Sequence, residues 1–290
     1  MSFLKHIFSR KTELKKAEET ISSPAKTLAA QISERLRTHT SRTFLKLTPE
    51  PGSAGLFESK IGGSFYVPED MLPPTDSASK PMYLLAQLNF SELPSLEDFP
   101  EKGLLQFFLT GSGEAYGANF DAPTEQTDWC VRYLPEFPDE RNTNETRIFH
   151  PKWSEDTNLP LIREDTYSLK ASTATQSITL CDYRISDTLR RTCADLLPED
   201  FRDIYDLDDD VSSELLKEQE LYSCQIGGYP DFTQYDPRED AEDAPDFLLF
   251  QLETTDNILW GTSGVGNFFI RSEDLKNKDF SRVWYHWDGC

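Results

Sequence analysis

The sequence predicts an α+β fold dominated by antiparallel sheet, built as two tandem pseudo-repeats with an N-terminal helical region and a helical insertion between the halves. Three observations predict it. Short apolar or aromatic runs, separated by Pro, Gly and acidic residues, fill most of the chain from about residue 50 onward. Helical periodicity is confined to the start of the chain and to a stretch near residues 185–221. A set of landmarks from the first sheet-forming stretch returns in the second at an almost constant offset. The implied organisation is a basic N-terminal region over 1–48 and a main domain over 49–290. Within the latter, unit one covers about 55–135, a connecting insertion about 136–220, and unit two about 221–290.

The elements follow in order. Ser23-Pro24 is a helix start, a capping hydroxyl followed by the residue best tolerated at the first helical position. Leu28, Ile32 and Leu36 then recur at intervals of four, which gives one apolar helix face. Residues 10–22 are compatible with a second, frayed helix. Tyr83–Asn89, Leu104–Leu109, Trp129–Leu134, Gln176–Tyr183, Phe247–Glu253, Asn267–Arg271 and Val283–Trp287 read as strands. Between the two sets, Ser186 is expected to cap a helix carrying Ile185, Leu189, Cys193 and Leu196, with Pro198 as its stop. Residues 212–221 add a further helical turn or two.

The repeat rests on three matches. Ile61-Gly62-Gly63 returns as Ile226-Gly227-Gly228, LLAQL from Leu84 to Leu88 as LLFQL from Leu248 to Leu252, and Phe107-Phe108 as Phe268-Phe269. The glycine pair permits a left-handed turn. Gln87 and Gln251 are polar residues inside otherwise apolar strands, so each buried amide must find partners for its carbonyl and its N–H groups. A loop backbone can supply them, as can a ligand lying between the repeats. One joint core is expected, because either half alone has few strands with which to cover its apolar faces.

Charge excludes whole classes of function. Lys and Arg total 29 against 51 Asp and Glu, a formal charge of −22, with a mean hydropathy of −0.57. General duplex nucleic-acid binding and adhesion to anionic membranes both need cationic surface. No run of about 18 apolar residues exists to span a bilayer. Residues 1–48 carry ten bases and four acids, so the remainder holds −28. Residues 195–220 concentrate eleven acids against two bases. Such a face is a solvated surface or a receptor for a basic protein partner. Five cysteines at irregular spacing (Cys130, Cys181, Cys193, Cys224, Cys290) and a start without the apolar core of a secretory signal lead to the expectation of a reduced, cytoplasmic protein. Cys290 is not placed for prenylation.

Catalytic and metal signatures are weak. His6, His39, His150 and His286 stand far apart, so no metal site and no cofactor is expected. Gly111 to Gly117 and Gly261 to Gly266 fit turns better than nucleotide loops, and Ser263 lies outside a nucleophile-elbow pattern. Asp206, Asp208 and Asp210 open like a calcium loop, but Val211 and Lys217 stand where Gly and Glu are required. The Gln234-Tyr235-Asp236-Pro237-Arg238 stretch is the most suggestive polar cluster. Arg238 there can pair with Asp236 or with the following acidic run, or can capture a substrate.

The stretches KIGG (60–63), LLAQLNFSELP (84–94), FPEKGLLQFFL (99–109), IGGYPDFTQYDPR (226–238), FLLFQLE (247–253), ILWGTSGVGNFFI (258–270), EDLKNKDFSRV (273–283) and WYHWDGC (284–290) resemble the YwqG-like family. The resemblance spans about residues 45–290. The family is a bacterial-type domain of unknown function, so it implies no reaction, and its context suggests proximity to bacterial toxin and immunity genes. The pattern departs at Thr262, where an acidic residue usually follows Trp-Gly.

Two functional readings follow. The first is a non-catalytic, acidic protein-interaction module that receives a basic partner, toxin or effector. The second is an enzyme or small-ligand binder with a site between the pseudo-repeats, using Gln87, Gln251, Gln234, Asp236, Arg238, Trp260 and Asn267. Oligomeric state is not legible in the sequence.

Overall fold

The computed structural model describes residues 23–138, 147–161 and 165–289. The expected frayed helix over 10–22, His6 and Cys290 lie outside the described residues. The chain divides into two compact units. One comprises residues 1–43, 175–222 and 228–244, the other 44–174, 223–227 and 245–290.

The first unit is helical. Its α1, Pro24–Thr40, starts as the sequence predicts: Ser23 Oγ accepts the Lys26 N–H at 3.1 Å, and Pro24 follows. Such a cap is worth about 1 kcal/mol. The α1 face carrying Ala29, Ile32 and Leu36 is buried. Against it pack α2, Ile185–Thr192, and α3, Asp209–Glu218, through Leu189, Val211 and Leu215. Ser186 does not cap α2. Its hydroxyl instead accepts the Ile204 N–H at 3.0 Å, and the helix ends at Thr192, before Pro198.

The second unit is a large antiparallel sheet. Its strands are β1 Arg42–Pro51, β2 Lys60–Ile61, β3 Phe65–Tyr66, β4 Tyr83–Asn89, β5 Leu104–Leu109 and β6 Trp129–Leu134. They continue with β7 Ile148–Phe149, β8 Tyr167–Gln176, β9 Cys224–Gly227, β10 Phe247–Glu253, β11 Gly264–Ile270 and β12 Trp284–Gly289, with one short helix, α4 Ser272–Asn277. Ten strands join in the order β12-β11-β10-β9-β1-β8-β2-β4-β5-β6, and β3 pairs with β7 in a separate ribbon. The protein is therefore mixed α and β with antiparallel sheet dominant.

Four predicted strands, 83–89, 104–109, 129–134 and 247–253, have the observed bounds. Two are offset by a few residues, β11 starting at Gly264 and β12 at Trp284. The strand expected over Gln176–Tyr183 is a correction. Pairing ends at Gln176, and residues 177–184 turn, with the Thr179 hydroxyl donating to Pro230 O at 2.6 Å. The expected boundary at residue 48 falls inside β1.

In the sheet, β4 and β5 slip register between Leu84 and Ala86, and β10 and β11 between Leu248 and Phe250. Gly62, Gly63, Gly227 and Gly228 all have left-handed φ, between +71° and +79°. A side chain at Gly62 would also meet Asp165 O at 2.6 Å, so both backbone and space require glycine there. The Phe107 ring lies 4.9 Å from both Phe250 and Phe268, within one apolar core.

Candidate functional site

Gln234, Asp236 and Arg238 lie in the helical unit, whereas Gln87, Gln251, Trp260 and Asn267 lie in the sheet unit. The two groups differ in what surrounds them, and each is taken on its own.

In the sheet unit the polar residues form two rows across neighbouring strands. Lys60, Gln87, Gln106 and Arg132 are successive partners on β2, β4, β5 and β6. Gln225, Gln251, Asn267 and His286 are successive partners on β9, β10, β11 and β12. Gln87 is fully buried, and its amide donates to Leu56 O at 3.0 Å and Glu58 O at 2.9 Å while accepting from Gln106 at 2.9 Å. Its hydrogen-bonding capacity is thus spent on the loop before β2 and on the next strand.

Lys60 is buried beside it, donating to Gly55 O at 2.7 Å and Leu56 O at 3.1 Å. Burial lowers its pKa to about 8, against the opposing pull of Glu58 and Glu92. In the other row, burial lowers His286 to about 4, with the Phe120 ring edge-on to it at 5.5 Å. Trp260 is fully buried and meets Tyr116 edge-on at 5.4 Å. The indole lies against Gly266, where a Cβ would come within 2.6 Å of Trp260 Cη2. Lys60, Gln106, Arg132 and Gln225 are the members of these rows that the sequence did not single out. The signal for them is the register itself, which a sequence does not display.

In the helical unit, Arg238 is fully buried. It bonds Asp236 twice, Nε to Oδ1 at 2.9 Å and Nη2 to Oδ2 at 2.6 Å, and reaches Asp182 Oδ2 at 3.2 Å. Asp182 also takes Arg184 in a fork, from Nε at 2.7 Å and Nη2 at 2.6 Å. Burial alone would raise the Asp182 carboxyl, but the Arg184 hydrogen bonds and the Arg238 and Arg184 charges hold it below the usual range. Both guanidinium carbons sit over the Tyr183 ring, Arg238 at 4.9 Å and Arg184 at 5.1 Å. The Arg238–Asp236 pairing that the sequence suggested exists. Its partners Asp182 and Arg184, some 50 residues upstream, were not foreseen.

Asp182, Tyr183 and Asp236 of this cluster help to line a pocket of about 130 Å³ in the same unit. Leu180, Ile185, Ile204, Leu216 and Leu221 give it apolar sides. Asp203, Asp231, Asp236 and Glu239 bring carboxylates to it, and among its described lining residues none is Lys, Arg or His. Tyr205 and Tyr235 are more than half exposed at its rim. Glu239 is raised above the usual carboxylate range by burial and by Asp240, Asp236 and Asp203. Tyr205 is raised by burial, with Glu239 and Asp203 adding to it.

Cys181 Sγ also lines the pocket, 3.2 Å from Asp231 Oδ1. Burial and that carboxylate push the thiol well up, so it is a protonated donor at neutral pH and not a thiolate nucleophile. Cys130, Cys181, Cys193 and Cys224 are all free thiols. Among the described residues no group of three or more His, Cys, Asp or Glu side chains is arranged to hold a metal ion, and no helix is long and apolar enough to cross a membrane.

No curated protein matches the chain. A family model does, over residues 59–290, which takes in β2 through β12 and the pocket-lining residues. On that match, the chain belongs to the family described as Domain of unknown function (DUF1963).

Proposed function

We propose that the protein is a non-catalytic, cytoplasmic interaction module whose acidic helical unit binds a basic protein partner. The observation that carries this reading is the pocket of that unit, to which carboxylates converge without a basic side chain among its described lining residues. The helical unit's own bases support it, because several already answer to its own acids. Arg35 pairs with Asp195, Arg190 with Asp187 and Lys217 with Glu214, yet eleven acids stand against two bases over 195–220. An uncompensated acidic field of this kind steers a cationic protein and selects against anionic ones.

The resemblance to the YwqG-like family and its toxin and immunity context make a basic toxin or effector the partner we favour. The protonated Cys181 thiol favours binding over nucleophilic chemistry in the pocket. The five cysteines, with four described as free thiols, support a reducing compartment. The test is affinity capture with the full chain at low and high ionic strength, followed by capture with the α3 acids Asp209, Asp210, Glu214 and Glu218 neutralised. A basic partner released by salt and lost with those charges supports the reading. A partner indifferent to both refutes it.

We further propose that the sheet unit descends from a duplicated half. The mirrored strand order β2-β4-β5-β6 and β9-β10-β11-β12, the register slips at Leu84/Ala86 and Leu248/Phe250, and the two polar rows support it. An experimental structure in which residues 60–134 and 224–289 do not superpose with Gln87 on Gln251 would overturn it. The small-ligand reading that joined Gln87, Gln251, Trp260 and Asn267 into one site has less support, since the Gln87 amide is occupied within the protein.

A further inference from the structure

We infer that the pocket of the helical unit is a socket for one lysine side chain of a basic protein partner; this rests on the interaction reading above. Size decides first. A volume of about 130 Å³ is well below the ~300 Å³ at which small-molecule sites begin. The size favours a slender side chain over a nucleotide or other drug-sized ligand. A linear chain of four or five non-hydrogen atoms fits.

Chemistry decides next. Leu180, Ile185, Ile204 and Leu216 offer an apolar sleeve of the kind that receives a methylene stem, while the charged end needs acceptors. Asp203, Asp231 and Glu239 supply them, and Ser212 gives independent support. That serine, on α3, lines the pocket, is 6% exposed, and its buried Oγ has no hydrogen-bond partner in the protein. A hydroxyl so placed is costly unless something bonds to it, and an ammonium N–H is a suitable donor. Glu239 is raised by burial and then by Asp240, Asp236 and Asp203, and the repulsion among these carboxylates is relieved when a cation enters.

Geometry selects lysine over arginine. Two of the pocket's carboxylates, Asp182 and Asp236, already hold Arg184 and Arg238 in forks. The other acceptors, Asp203, Ser212, Asp231 and Glu239, come from different stretches of the chain, which suits a compact charge with three rotatable donors. Tyr205 and Tyr235 at the rim lie where an entering cation would pass an aromatic face.

The experiment measures binding of a fluorescent octapeptide of alternating glycine and lysine to the full chain at low ionic strength. Arginine and Nε-acetyl-lysine versions of the peptide serve as controls. Ser212→Leu fills the pocket, and Glu239→Gln removes one charge at an exposed position, so it keeps the test open if the leucine variant fails to fold. The expected result is a loss of at least about tenfold with Ser212→Leu and with acetylation, a smaller loss with Glu239→Gln, and weaker binding of the arginine peptide. Equal binding to the parent and both folded variants, with affinity still falling as salt rises, overturns the socket and leaves the acidic-surface reading standing. No binding of the lysine peptide at low ionic strength overturns both.

Discussion

Arg238 grips Asp236, two residues earlier in the chain, through a pair of parallel hydrogen bonds of 2.9 and 2.6 Å, with both side chains shut away from solvent. The Asp-Pro-Arg sequence makes this possible, since Asp236 also accepts the Arg238 N–H at 3.0 Å as the cap of a short helical turn. The guanidinium in turn compensates Asp182. Removing it leaves the buried Asp236 carboxylate without its cation and Asp182 with Arg184 alone, and Arg238→Met is therefore expected to cost about 3–5 kcal/mol. Arg238→Lys keeps the charge but not the fork, and falls between. Urea unfolding followed by a signal from the helical unit checks this, and a cost below about 1 kcal/mol would remove the cluster from its structural role.

Lys60 gives a pH dependence with a definite sign. Its folded pKa is lowered to about 8 from 10.5, so between those values the folded state has shed a proton that the unfolded state keeps, and stability rises with pH across that window. The gain is at most about 3 kcal/mol. The neutral amine suits the site, because its two N–H groups match the two carbonyls at Gly55 and Leu56. Lys60→Met should flatten the rise between pH 8 and 10.5. Denaturation midpoints of the two proteins across that range decide the matter.

His286 acts at the other end of the scale. Its folded pKa of about 4 lies below the ordinary 6.5, so the unfolded chain binds a proton that the folded chain refuses between these values. Stability is complete above 6.5 and falls as the solution is acidified toward 4, by about 3 kcal/mol at most. His286→Asn should lose less stability than the parent between pH 6.5 and 4. An unchanged acid limb would mean that other groups carry it.

Gly266→Ala tests the packing of Trp260. The added methyl has no room beside the indole, and overpacking a core strand costs about 1–3 kcal/mol. A blue or red shift of tryptophan emission accompanied by that loss is expected. A neutral substitution would mean that the ring moves aside freely.

How much of this was legible in the sequence depends on which physical signal each element carries. YLLAQLN, LLQFFL, WCVRYL and FLLFQLE announce strands through dense apolar runs, and they have the predicted bounds. YSLKASTATQ, which forms β8, is rich in short polar residues and has mostly exposed or half-exposed positions, so no run marks it. The misread stretch from Gln176 to Tyr183 has the composition of a strand, but Ile178 serves the helical core instead. Gln234, Asp236 and Arg238 stood out because unlike charges crowd a short segment. Asp182, Ser212 and Asp203 did not, since only the tertiary fold brings them to the same pocket.

The helical unit is assembled from three stretches of chain, ending at residue 244. At about 5–20 residues per second of synthesis, α1 leaves the ribosome roughly 10–40 s before its last structural neighbours exist. Its apolar face must wait, uncovered, for that interval. A nascent chain stalled before residue 244 should therefore hold chaperones and resist compaction, and no truncation from the C-terminus can isolate this unit intact.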